Sequence, residues 1–150
     1  MDFDDMYAWV QRYLQARAEG APGEALALCT PDFSREVVGW PADGGRDAAQ
    51  RFCQELCAHF QPAQEPAVHC HYLPNALVMD RQLCGCVHGA SFGLAGDARE
   101  ASLRVVQVFE FQDGRLRRET VWLDGEALCR QLGVGCAPER SAPAAAAQAQ

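Results

Sequence analysis

The strongest constraint on this chain lies in its second half, where two alternating runs, residues 101–112 and 115–123, meet at Asp113-Gly114. Alternation of apolar and polar side chains suits a strand with one buried face, and Asp-Gly readily takes the positive φ angles of a tight hairpin turn. A second extended pair is predicted over residues 67–79 and 82–92, joined at Asp80-Arg81. Long antiparallel strands with one apolar face need another layer to cover them.

The covering layer is predicted in the first sixty residues. Phe3, Met6, Tyr7, Val10, Tyr13 and Leu14 recur at helical spacing, so residues 3–18 read as an amphipathic helix ended near Gly20. Pro22 suits the first turn of a short second helix through Leu28, which Thr30-Pro31 stops. A strand over 33–38 and the turn-rich loop Gly39-Trp40-Pro41-Ala42-Asp43-Gly44-Gly45 follow. Ala49, Phe52, Cys53, Leu56, Cys57 and Phe60 then mark a third helix. After the sheet, Asp124 can cap a last short helix carrying Ala127, Leu128 and Leu132, with Gly133 at its stop. Helices first and long strands afterwards imply an α+β fold. Its domain spans residues 1–136 and is followed by a disordered Ala/Gln-rich tail, 137–150, which lacks residues able to bury a core face.

Charge excludes some partners. Twenty acidic residues face thirteen basic ones, all Arg, for a formal charge of -7, so neither nucleic acid nor an anionic membrane finds the basic stripe it needs. The acidic start Met1-Asp2-Phe3-Asp4-Asp5 does not resemble a secretory signal, and no apolar run is long enough to span a bilayer. The expected location is the cytoplasm, where the eight cysteines would stay unpaired as small buried hydrophobes, with no disulfide. His69 and His71 share a strand face, and a tight turn at Asp80-Arg81 would bring Cys84, Cys86 and His88 beside them. Period-2 spacing suits a tetrahedral metal site poorly, so a packed or partly exposed face is expected and metal is not. No nucleophile elbow or phosphate-cradling glycine loop occurs.

Two stretches carry a family resemblance. Val10-Gln11-Arg12-Tyr13-Leu14, followed by Glu19-Gly20, resembles the first helix of bacterial steroid isomerases. Val108-Phe109-Glu110-Phe111-Gln112-Asp113-Gly114-Arg115-Leu116, with Gln131-Leu132, resembles the closing hairpin and helix of SnoaL-like polyketide cyclases. Both belong to the nuclear transport factor 2-like superfamily, and the resemblance covers roughly residues 3–134. It implies a cone-shaped fold in which three N-terminal helices pack on a curved antiparallel sheet, with a short C-terminal helix, a hydrophobic pocket and frequent homodimers.

The resemblance also implies roles. In the isomerases a helix-1 tyrosine donates to a developing enolate oxygen and a protonated strand acid donates a second hydrogen bond. Tyr13 matches the tyrosine and Gln107 the second donor, the position of a catalytic histidine in the cyclases; an amide donates but exchanges no proton at neutral pH. The isomerase base position falls on Val37, with Glu36 adjacent but on the opposite strand face unless a bulge intervenes. The cyclase acid position falls on Val121, and Glu119 shares its face.

The catalytic set this implies is Tyr13, Gln107, Glu119 and Glu36. Trp9, Trp40, Phe109 and Val121 would contact a small apolar ligand, without a cofactor. Trp40 either guards the pocket mouth or packs at a sheet edge or partner subunit. An isomerase or cyclase acting by proton transfer is one reading, and a noncatalytic binding or association module is the other. In the latter Tyr13 packs in the core with its hydroxyl satisfied, Gln107 bridges strands and Glu119 pairs with an Arg such as Arg117. An epoxide hydrolase of the same fold would need an Asp/Arg/Asp cluster that the strands do not supply.

Overall fold

A computed structural model describes residues 1–38, 60–62, 68–87 and 98–133. Helix α1, Phe3–Ala18, starts where the Asp2 carboxylate accepts the Asp5 amide at 2.8 Å and ends just before Gly20, whose φ is 68°. It buries Met6, Val10, Tyr13 and Ala16. Phe3 and Tyr7 lie outside that buried stripe, and the Phe3 ring rests on Tyr72 with centroids 5.0 Å apart. Helix α2, Pro22–Ala27, begins with proline in its first turn, and the Trp9 indole fastens α1 to its end by donating to the Leu28 carbonyl at 3.0 Å.

Strand β1, Cys29–Val38, starts earlier than predicted because Pro31 is tolerated on a sheet edge. The others are β2, Gln61–Pro62; β3, His69–Leu73; β4, Ala76–Val87; β5, Arg99–Gln112; and β6, Arg115–Leu123. Their order is β1-β6-β5-β4-β2, with β3 also paired to β4. Asp113 (φ 50°) and Gly114 (φ 78°) turn the β5–β6 hairpin as the sequence requires.

Two features depart from expectation. The first hairpin turns at Pro74-Asn75, and β4 runs straight through Asp80 and Arg81. Proline cannot donate to a ladder, whereas Asp80 is held in the strand by Arg104 from β5, at 2.9 and 2.5 Å. His69 consequently sits opposite Asp80 and His71 opposite Val78, away from Cys84, and no three metal-ligating groups converge among the described residues. The sheet is also mixed rather than purely antiparallel: β1 runs parallel to β6, a pairing open to strands separated by a long stretch of chain.

Helix α3, Gly125–Leu132, is capped by Asp124, which accepts the Ala127 amide at 2.8 Å, and stopped by Gly133 at φ 70°. The predicted third helix lies outside the described residues apart from Phe60, as do Trp40, His88 and the tail. One expectation fails. Cys129, buried on α3, is disulfide-bonded, while Cys29, Cys70, Cys84 and Cys86 are free.

The core forms two apolar clusters along the inner sheet face. One gathers Met6, Val10, Tyr13, Phe33, Leu77, Met79 and Phe109 under α1 and α2; the other gathers Leu83, Leu103, Val105, Val121, Leu128 and Leu132 under α3. Gln107 and Glu119 are buried but belong to neither.

Candidate functional site

A bulge aims the central residue. Glu110 pairs with Arg118 but Phe111 pairs with Leu116, so Arg117 is an extra residue in β6. Leu116 and Glu119, three positions apart, would otherwise face opposite sides of the sheet; the inserted residue lets both be buried. Beyond the bulge the register is regular, with Glu119 opposite Arg35 on one side and Phe109 on the other, and Val121 between Val37 and Gln107.

The Glu119 side chain, fully buried, collects donors from three directions. Tyr13 on α1 donates its hydroxyl to Oε2 at 2.7 Å, and Gln107 on β5 donates Nε2–H to Oε1 at 2.9 Å. Arg17, one turn beyond Tyr13, reaches both oxygens at 3.1 and 3.2 Å, and Arg35 donates from Nε to Oε2 at 2.6 Å. Arg35 also donates from Nη2 to the Tyr13 hydroxyl oxygen. The two guanidiniums are themselves mostly covered, at 8% and 13% exposure.

These contacts decide protonation. Burial alone would raise the Glu119 carboxyl, but the charges of Arg17 and Arg35, with hydrogen bonds from Tyr13 and Arg35, overcome it and bring the pKa down to about 2. The Tyr13 phenol is pushed well above its ordinary value by burial and by the Glu119 charge, against the opposing pull of both arginines. At neutral pH Glu119 is thus a carboxylate and Tyr13 a phenol whose proton is already shared with it. The polar groups run diagonally across the inner face from Arg35 through Glu119 to Gln107, with an apolar cluster on either side.

Tyr13, Gln107 and Glu119 therefore converge as the sequence suggested, but both expected donors serve Glu119 itself. Glu36 does not join them; it is exposed on the other face of β1 and paired with Arg118 at 2.6 Å. It lines a groove of about 460 Å³ with Asp32, Ser34, Glu110, Arg117 and Arg118, reached also by Arg35. Arg117 pairs with Asp32 at 3.7 Å rather than with Glu119. Of the expected ligand contacts, Phe109 and Val121 are fully buried in the two clusters, and Trp9 is half-buried under the Arg12 guanidinium. Sequence reasoning missed Arg17 and Arg35. Helical spacing from Tyr13 and the strand phase of Val37 were the signals that could have found them.

No curated protein matches this sequence. Solved structures do match its fold. One is a protein of Jannaschia sp. CCS1 named as a SnoaL-like polyketide cyclase, 20% identical, with 89% of this chain and 94% of that one covered and a TM-score of 0.68. A protein of Xanthomonas campestris named as a polyketide cyclase is 21% identical over 86% of this chain and 97% of its own, with a TM-score of 0.63. AclR of Streptomyces galilaeus, named as a hydroxylase, is 15% identical over 92% and 91%, with a TM-score of 0.66. Residues 8–132 match the SnoaL-like polyketide cyclase family as a whole, which is most of the chain, and the protein belongs to that family, within the nuclear transport factor 2-like superfamily.

Proposed function

We propose that this protein is a cofactor-independent small-molecule pocket protein of the SnoaL-like kind. It takes an apolar cyclic or polyketide-like molecule against the inner sheet face, with the Glu119 network as a fixed polar floor. The observation that carries this reading is the diagonal of buried polar side chains between two apolar clusters, since small-molecule sites commonly combine apolar walls with a few convergent polar groups.

Binding is favoured over turnover because no described member of the network is poised to move a proton near neutral pH. Glu119 is a weak base, Tyr13 holds its proton tightly, and the Gln107 amide does not titrate. The second reading, an isomerase or cyclase, is supported by the convergence of Tyr13, Gln107 and Glu119. It requires a substrate that displaces a donor from Glu119 and so restores basicity.

Thermal melting of the purified protein against steroids, polyketide aromatics and small lactones tests the binding reading, because a ligand held only by the folded state raises apparent stability. A shift that vanishes when Tyr13 and Gln107 are both replaced supports it, and no shift with any ligand transfers the reading to an association module. Turnover whose rate falls with pH around the ordinary carboxylate range would favour the enzyme instead. We further propose a homodimer, a domain ending near residue 136 and a disordered tail. We also propose a cytoplasmic location, against which the Cys129 disulfide weighs.

A further inference from the structure

Gln107 is 2% exposed and uses only half of its side chain. Its Nε2 donates to Glu119 at 2.9 Å, while its Oε1 is buried with no hydrogen-bond partner. The orientation of the amide is fixed by chemistry. An ionised carboxylate only accepts, so the atom facing Glu119 must be the NH2 group, and a flipped amide would set two acceptors against each other. The unpartnered atom is therefore an acceptor.

The other polar groups do not reverse that polarity. Tyr13 donates its hydroxyl hydrogen to Glu119 and accepts from Arg35, so the hydroxyl that the family resemblance assigned to a ligand oxygen is already engaged on both counts. A buried acceptor left unpaired costs about 1–3 kcal/mol, which a ligand donor reaching it would recover. Gln107 stands between Met79 of the cluster under α1 and Val121 of the cluster under α3, so apolar walls flank it on both sides.

We infer that Gln107 Oε1 is the specificity-determining acceptor of this pocket, and that the favoured ligand is a fused-ring apolar molecule carrying a free hydroxyl or N–H near its middle, not one whose central polar group is a bare carbonyl or ether. The inference rests on the binding reading above and reverses the hydrogen-bond direction expected from the sequence. A ligand hydroxyl donates to Oε1, while the amide keeps its bond to Glu119.

The test uses 9-phenanthrol, 9-aminophenanthrene and 9-methoxyphenanthrene, which share three rings and differ in whether the central group donates. Binding is measured by calorimetry on the wild-type protein and on Gln107→Met. The expected result is that the hydroxyl and amine bind about tenfold more tightly than the ether to wild type, and that the ratio falls towards one in the variant. A general loss of stability in the variant would weaken all three ligands together and leave their ratio unchanged. Equal affinity of wild type for all three overturns the inference and leaves the pocket reading standing, as when a water already fills the Oε1 position. A preference that survives in Gln107→Met also overturns it, since the donor then meets another acceptor. Binding of none of the three removes the apolar pocket reading, and the inference falls with it.

Discussion

Glu119 is the residue on which the interior turns. Its folded pKa lies below its unfolded value near 4.5, so the stability it contributes is fully present above that pH and is lost as pH falls towards about 2. Replacing Glu119 by Gln keeps the shape but removes the carboxylate charge that both buried arginines reach. The expected loss is about 3–5 kcal/mol in urea unfolding at neutral pH, and the variant's stability should change much less than wild type's between pH 4.5 and 2. Unchanged neutral-pH stability would mean that Glu119 is not paired as described. Tyr13→Phe removes one hydrogen bond to a charged acceptor and the oxygen that Arg35 reaches, with an expected cost of about 1.5–3 kcal/mol by the same measurement. The roles of Tyr13 and Gln107 illustrate what resemblance could convey. Helical phase put Tyr13 in the core and strand phase put Gln107 and Glu119 on one face, but the direction of each hydrogen bond depends on Arg17 and Arg35, which arrive from two other elements.

Among the elements, α3 is the one whose ends are most fully written in the sequence. Asp124 caps it and Gly133 stops it in the left-handed region, where an added Cβ would also come within 2.8 Å of the Arg99 guanidinium. Asp124→Ala is expected to cost about 1 kcal/mol, and Gly133→Ala about 1–2 kcal/mol from backbone strain, since the flexible end of Arg99 can move aside; thermal unfolding of each variant checks both. The hairpins divide differently. Asp113-Gly114 was legible because two successive positive-φ positions demand such residues, whereas Asp80-Arg81 is a polar pair that β4 absorbs, with Asp80 outward on Arg104 and Arg81 inward. The Arg117 bulge had no residue signature at all. It is defined only by how β6 registers against β5, yet it decides that Glu119 points inward.

On the scale of the molecule, the sheet has two dissimilar faces. The inner one carries the two apolar clusters and the polar diagonal; the outer one carries Trp122, 40% exposed, opposite Val106 and near Val108 and Val78. The homodimer is expected to form through this outer face. Trp122→Glu should then convert a dimer to a monomer in sedimentation analysis without unfolding it, and a monomeric wild type would remove the proposal. The sequence by itself determined the first two helices, the last helix, the closing hairpin and the α+β class, because period, caps and turn chemistry are local properties of the chain. The parallel seating of β1 on β6, the bulge at Arg117 and the engagement of every Glu119 lone-pair direction by distant side chains were decided only in the tertiary structure. Each depends on where residues far apart in sequence meet, and the free energy of a buried charge depends on all the neighbours that reach it together.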